Sequence, residues 1–334
     1  MYNKSALKKE KANVMKLYIL ENELLKVTFL DVGASIYSFH VKALDNRNIV
    51  LTTRDKNEYK NPPRNAYFGA TVGRVGGRIP NGEFIIDGVK YHAAQNEKVT
   101  NSLHGGDETY AAKVFEVVKQ SADHIIFRYV SRDGEGGYPS ELELYVKYTL
   151  LDNCLALDYE ARTTKKTLIN IINHSYFNLN QDGDILKHNL QANVEAVFAL
   201  DDKQINLLPL KVRKGDTFDL STGKTLDKMV FAKEVNVPPM GGVDHLLVIP
   251  DHKLVVTGED LRLTIVSDYP ALQMYSTNYP PEVTLLDGAK VIKYKGLALE
   301  PADIVCGQNG VFKNLELSPG EVYKRRIKYI VELR

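Results

Sequence analysis

A histidine interrupts an apolar run at residues 167–179, TLINIINHSYFNL, and a glutamate ends another at residues 295–303, KGLALEPAD. In a strand, successive side chains point to opposite faces. Counted that way, Asn170, Ile172, His174, Tyr176 and Asn178 share one face, while Gly296, Ala298 and Glu300 share one face of the other segment. The glutamate thus lies beyond two very small side chains that leave room for a ligand, and a carboxylate buried there needs a partner group. An imidazole and a carboxyl on one cleft are the minimum for general acid–base chemistry on a neutral substrate. Taken singly, each has a plain structural explanation: a half-buried histidine satisfied by a carbonyl, and a glutamate at a strand end facing water.

Three further groups of residues can hold a substrate for such a pair. The loop at residues 99–110, VTNSLHGGDETY, sets His104 before Gly105 and Gly106, whose backbone freedom can present an imidazole at a cleft edge. Residues 67–82, YFGATVGRVGGRIPNG, carry Arg74 and Arg78 among glycines but fit neither GxGxxG nor GxxxxGK[ST], so a nucleotide-phosphate loop is rejected. The planar guanidinium fork can instead donate to neutral oxygens. Asp244 leads the run VDHLLVI, and Gln273 shares a face with Ala271 and Tyr275 in ALQMYSTNY. Tyr67, Phe68 and Tyr176 are the aromatic candidates for stacking on a ring in a chain that has no tryptophan.

Other chemistries lack their residues. His40, His92, His124, His188, His245 and His252 show no HxH or HExxH spacing, so a bound metal has no support. There is no GxSxG elbow for a serine nucleophile. The two cysteines, Cys154 and Cys306, are far apart without CxxC spacing, which argues against a disulfide framework and fits buried thiols in a reducing cytoplasm.

The elements that must position these groups are strands. From Lys16 onward, short segments rich in Val, Ile, Tyr, Phe and Thr, such as EFIIDGVKY, HIIFRYVS and ELELYVKYTLLD, alternate with turn signals such as NGE, SRDGEGGYP and QDGD. Few windows show the 3.6-residue period of an amphipathic helix, and FEVVKQSADH is too short and β-branched to be one. About twenty strands recurring at ~8–12-residue spacing, without a low-complexity linker, predict an all-β chain: one large antiparallel β-sandwich over residues 16–334. Residues 1–15 form a basic leader, and the loop-rich stretch from Gln204 to Gly242 covers one edge of a sheet. A formal net charge of +1 gives no broad field for nucleic acid or anionic membrane, and no apolar run reaches membrane-spanning length. The expected partner is a small neutral molecule, and the chain is expected to be a monomer or homodimer.

With these residues in hand, the chain resembles the aldose 1-epimerase (galactose mutarotase) family. The resemblance rests on YFGATVGRVGGRIPNGEFIIDGVKYH, NSLHGG, NHSYFNL, VDHLLVI, LQMYSTN and LALE, six segments in the family's order between residues 67 and 300. It implies a galactose mutarotase-like supersandwich with an open sugar-binding cleft on one sheet. It implies that His174 is the general acid and Glu300 the general base, and that Arg78, His104, Asp244 and Gln273 hold the sugar; Tyr176 joins them as a lining residue. It implies α/β interconversion of a neutral aldohexose such as galactose or glucose, with no cofactor and no metal. Two departures bear on substrate choice. Gly76-Gly77 stands where the family often has Ala-Asn, and Pro301-Ala302-Asp303 follows Glu300 where a Thr-Gln-His type continuation is common. The alternatives are a hexose-6-phosphate epimerase of the same superfamily, which would need an extra basic cluster, a non-catalytic carbohydrate-binding sandwich, and a glycosidase with Asp244 as second carboxylate.

Overall fold

A computed structural model describes residues 15–62, 64, 66–98, 100–233, 240–306 and 310–334. Strands dominate, and three antiparallel sheets build the body. The largest has nine strands in the order Glu116–Gln120, His124–Ser131, Leu142–Leu151, Cys154–Thr163, Tyr323–Leu333, Leu261–Ser267, Lys253–Thr257, Asn189–Ala192 and Lys224–Thr225. A six-stranded sheet runs Tyr176–Phe177, Leu297–Ala302, Ala271–Tyr275, Asp244–Val248, Ala196–Leu200 and Asn206–Lys211. The four-stranded sheet Leu17–Glu21, Leu25–Leu30, Ser35–Val41 and Arg47–Asn48 completes the set.

Alternation along these strands builds the core. In Leu142–Leu151 every second side chain is buried. Leu144 and Val146 meet Leu155 and Leu157 from the neighbouring strand, Val27 and Phe29 from the four-stranded sheet, and Leu247, Met274, Leu297 and Leu299 from the six-stranded sheet in one apolar cluster. Burying each such side chain contributes roughly 1.5–3 kcal/mol, so the inner faces of all three sheets are committed to one another. What the six-stranded sheet has left for function is its other face, which carries Asp244, Gln273 and Glu300.

The residue 167–179 segment departs from the single strand expected of it. It is three two-residue pairings with three partners: Thr167–Leu168 with Glu316–Leu317, Ile172–Asn173 with Thr71–Val72, and Tyr176–Phe177 with Leu297 and Ala298. Alternation survives the interruptions, since Ile169, Ile171, Phe177 and Leu179 enter the core. Tyrosines of the nine-stranded sheet and its surroundings satisfy the backbone between pairings: the Tyr323 hydroxyl accepts from the Ile171 N–H at 3.2 Å, and the Tyr269 hydroxyl donates to the Ile171 carbonyl.

Other expectations need correction. Residues 204–242 do more than cover an edge. They supply edge strands to two sheets, Asn206–Lys211 and Lys224–Thr225, followed by the short helix Leu226–Val230; residues 234–239 of the stretch lie outside the described residues. The window FEVVKQSADH, by contrast, is no helix, as its β-branched residues suggested, and holds the strand Glu116–Gln120. Residues 1–14 of the leader also lie outside the described residues. Both cysteines are only half-buried, because each lies toward the surface of its segment, although burial still raises both thiol pKa values above the ordinary one. No helix among the described residues is long and apolar enough to cross a membrane.

Buried histidines tie stability to pH. The Leu179 N–H donates to His188 Nε2 at 2.9 Å, and the Asp244 N–H donates to His245 Nδ1 at 3.2 Å. Burial disfavours the charge, so both pKa values fall to about 4, and a nitrogen accepting a backbone N–H cannot also hold a proton. The unfolded chain therefore binds protons that the fold refuses. Stability is lost as pH drops from about 6.5 towards 4, at about 1.4 kcal/mol per pH unit per histidine. Replacing His188 by Gln should destabilise the protein at pH 7, with the deficit shrinking at about that rate on acidification; denaturant unfolding at pH 7 and pH 5 measures it.

Candidate active site

A cavity of about 500 Å³ opens on the outer face of the six-stranded sheet. Its floor is strand-built. Asp244, Gln273 and Glu300 lie on three adjacent strands, with Gln273 paired to Glu300 in register and also opposite Leu246. Leu297 and Leu299 anchor the Glu300 strand in the core, which turns the glutamate towards the cavity. Gly296 and Ala298 do not make room for a ligand, contrary to the expectation. A side chain at Gly296 would strike Leu51 and Tyr176, and Ala298 packs in the same cluster as Tyr176. Their smallness lets Leu51 and Tyr176 pack against the glutamate strand.

His174 comes from the interrupted segment. Its N–H donates to the Ala70 carbonyl at 2.9 Å, and its carbonyl accepts from the Gly69 N–H at 3.0 Å, so both backbone groups are fixed. The ring lies between Tyr67, stacked with centroids 5.6 Å apart, and Tyr176, tilted at 5.1 Å. Its Nε2 lies 3.5 Å from Glu300 Oε1. His174 and Glu300 are 4% and 1% exposed, and neither His174 Nδ1 nor Glu300 Oε2 has a hydrogen-bond partner. Buried polar atoms without partners are costly; two of them on adjacent groups facing a cavity mark a place for a ligand's oxygens. Burial lowers the His174 pKa to about 3. Burial, then the charge of Asp244, raise that of Glu300 well above its ordinary value, against the pull of Arg78. Burial thus favours the pair as a neutral imidazole beside a protonated carboxyl.

His104 meets His174 edge to face at 5.1 Å. The Gly77 N–H donates to its Nδ1 at 3.2 Å, which places the ring hydrogen on Nε2. That tautomer bears on metal binding. Donor atoms of His104, His174 and Glu300 all lie within 4.8 Å of one another, close enough for one cation. With Nδ1 engaged by a backbone donor, however, His104 offers a hydrogen rather than a lone pair at Nε2.

Around the pair runs a charged relay. Gln273 Nε2 donates to Asp244 Oδ1 at 2.6 Å, Asp244 Oδ2 lies 3.6 Å from an Arg78 nitrogen, and Arg78 donates to Glu97 at 3.3 Å and to Gln204 at 3.2 Å. Lys98 reaches the same Gln204 oxygen at 2.8 Å. Burial raises the Asp244 pKa, and Arg78 is the main influence opposing the shift.

All seven expected site residues, Glu300, His174, Arg78, His104, Asp244, Gln273 and Tyr176, line this one cavity. Several supporting expectations fail. Arg74 is wholly structural: its guanidinium donates to Tyr110, Pro139, Ser140, Thr167 and Ser131 in the interior. Asn170 spends its amide on backbone groups of Gly76 and Asp303, and Asn178 turns to Gly183 and Lys295 on the far side. Neither amide is left for a ligand hydroxyl. Phe68 packs under Tyr176 with centroids 5.0 Å apart, leaving Tyr67 and Tyr176 as the candidate platform. Glu97, Lys98 and Gln204 were not anticipated. Glu97 and Lys98 precede NSLHGG closely, but nothing in a loop sequence signals a bond to Gln204 more than a hundred residues away.

The aldose 1-epimerase family model matches residues 16–330. The chain belongs to the aldose 1-epimerase family. It is 31% identical to the galactose mutarotase of Sus scrofa over 96% of this chain and 94% of that one. It is 29% identical to the aldose 1-epimerase of Escherichia coli K12, covering 94% of each. Among solved structures, an aldose epimerase homologue from C. elegans superposes with a TM-score of 0.86 at 25% identity, covering 96% of this chain and 99% of that one. The galactose 1-epimerase of Lactobacillus acidophilus shares the fold, with a TM-score of 0.85 at 24% identity, over 96% of this chain and 95% of that one. Aldose 1-epimerases are isomerases, and the mutarotase sandwich expected from the strand pattern is the fold observed.

Proposed function

We propose that this epimerase interconverts the α and β anomers of a neutral aldohexose such as galactose or glucose, with Glu300 and His174 as the proton-transfer pair. The observation that carries the reading is their buried 3.5 Å approach at the wall of the cavity. Anomerisation must move protons at the C1 hydroxyl and the ring oxygen, two oxygens on the same carbon. A base and an acid serving both have to end close together.

The pair shares one proton. For ring opening, Glu300 as carboxylate takes the proton of the C1 hydroxyl while His174 as imidazolium gives one to the ring oxygen, and the C1–O5 bond breaks. This leaves an open-chain aldehyde, a protonated Glu300 and a neutral His174, which is the charge state burial favours. Rotation about C1–C2 exposes the other carbonyl face, and reclosure returns each proton. No electron or group leaves the sugar. Each positioned proton-transfer group typically contributes about 10²–10⁴-fold. His104, with its hydrogen on Nε2, and the Arg78–Asp244–Gln273 relay hold the hydroxyls.

Charge balance favours a neutral sugar over a sugar phosphate. Among the described lining residues the cations are Arg78 and Lys98, faced by Glu97, Asp202, Asp244 and Asp303, so a dianion would meet more negative than positive side chains. Polarimetry of freshly dissolved α-D-galactose, α-D-glucose and their 6-phosphates tests the reading. Acceleration of the free sugars supports it, and acceleration of the phosphates alone overturns it. Replacing Asp244 by Asn, which removes the charge facing Arg78, should raise KM about 10–100-fold and leave kcat within a few-fold, the signature of a group that binds ground and transition states alike. Initial-rate polarimetry at varied sugar concentration measures the split.

A further inference from the structure

We infer that Asn170 is a positioning residue for the acid–base site, clamping the Gly76–Gly77 loop to the Glu300 strand so that His104 keeps its Nε2–H tautomer. Three stretches of chain supply the site, and they meet at this one fully buried side chain. Asn170 Nδ2 donates to the Gly76 carbonyl at 2.8 Å and, more weakly, to the Asp303 carbonyl at 3.4 Å. Its Oδ1 accepts from the Asp303 N–H at 3.0 Å. Its own carbonyl accepts from the Gly76 N–H at 2.7 Å, and its N–H donates to the Arg74 carbonyl at 3.0 Å. The residue thus binds the loop that leads into Arg78, the strand that has just delivered Glu300, and the segment that delivers His174 four residues later.

The clamp reaches the chemistry through Gly77. That residue holds φ +93, a conformation suited to glycine. Both of its peptide groups serve His104: the Gly77 N–H donates to His104 Nδ1 at 3.2 Å, and the Gly77 carbonyl accepts from the His104 N–H at 3.0 Å. Gly77 is one residue from the carbonyl that Asn170 holds, and a side chain at Gly76 would strike Ile172, so the loop is already pressed against the His174 segment. The groups facing the His104 ring are His174, Arg78, Glu300 and Tyr67. Burial, then His174 and Arg78, oppose a proton on His104, and the Gly77 N–H occupies the nitrogen that would take it. Freeing the loop removes the last of these restraints.

The inference rests on the acid–base reading of the cavity for its kinetic part, and its test has a part that does not. Asn170→Asp keeps the acceptor for Asp303 and loses the donor to Gly76; Asn170→Ala loses both, and Asn170→Ser replaces it if the alanine variant fails to fold by near-UV circular dichroism. We expect kcat to fall about 10-fold in Asn170→Asp and about 100-fold in Asn170→Ala, the scale of a displacement of about 1 Å, with KM within about three-fold. The acid limb of the kcat/KM profile should move to higher pH as His104 becomes able to take a proton. In parallel, ¹⁵N shifts of labelled histidine, with His104 assigned from the His104→Gln spectrum, should show a fixed Nε2–H tautomer in the wild type and a titrating, mixed ring in the variants. A fixed tautomer in every variant overturns the inference, as does lost activity with an unmoved acid limb, which is what a purely structural asparagine would give. A wild type that mutarotates no aldose sinks the functional reading instead, and the ¹⁵N comparison still decides the role of Asn170.

Discussion

Glu300→Gln is expected to lower kcat/KM for mutarotation about 10²–10⁴-fold while making the protein more stable at neutral pH. The amide keeps the shape and can hydrogen-bond a hydroxyl, but it cannot accept its proton. The gain in stability has a separate cause. Burial and Asp244 raise the Glu300 pKa well above the ordinary value in the fold, whereas the unfolded chain ionises it freely. The folded state thus forgoes the ionisation, and stability declines as pH rises from the unfolded pKa, about 4.3, towards the folded one. Glutamine does not ionise, so the advantage of the variant should be absent near pH 4 and grow with pH above it. Unfolding at pH 4 and pH 7, beside polarimetry, measures both effects. Near-wild-type rates in this variant would remove Glu300 from the role of base.

His174→Asn is expected to cost a similar factor, with the opposite pH signature. Its residual activity depends on the Glu300 carboxylate and should rise with pH through one ionisation, that of Glu300. The residual activity of Glu300→Gln depends on the imidazolium and should fall as pH is raised from the acid end, because His174 in its buried setting has a pKa of about 3. Asparagine removes the Nε2 that lies 3.5 Å from Glu300 Oε1 and cannot become a cationic proton donor. The double variant should be scarcely slower than either single one, because a base without its acid and an acid without its base are each half of one transfer. Additive losses would mean that the two side chains act on different steps.

His174 and Glu300 were legible in the sequence because strand alternation does not need a continuous strand. The segment around His174 changes partner twice, yet Ile169, Ile171, Phe177 and Leu179 still enter the core while Asn170, Ile172, His174 and Tyr176 line the cavity. The space beside Gly296 and Ala298 is taken by Leu51 and Tyr176 rather than by a ligand. Arg74 and Arg78 lie four apart in one glycine-rich loop, and only the folded backbone sends one into the interior and the other to the cavity. The Glu97–Arg78–Gln204 link and the Asn170 clamp join loops distant in the chain through side-chain and backbone bonds that carry no periodic pattern. The Pro301-Ala302-Asp303 departure is accounted for in part: Asp303 is paired with Arg325 through two hydrogen bonds, at 2.5 and 3.2 Å, and helps fix the end of the Glu300 strand.

The three-partner segment that carries His174 also sets when a ribosome can deliver a working site. One of its partners, Thr71–Val72, precedes it in the chain, but the others, Leu297–Ala298 and Glu316–Leu317, and the Tyr323 hydroxyl that holds Ile171, follow it by more than a hundred residues. Contacts of such sequence separation form late and slowly. A nascent chain can pair Leu142–Leu151 with Cys154–Thr163 locally, yet it holds His174 without the strand that brings Glu300 until more than a hundred further residues are made. Catalytic competence therefore waits on both downstream partners, and a chain stopped before residue 317 is expected to be inactive even with His174 and Glu300 both present.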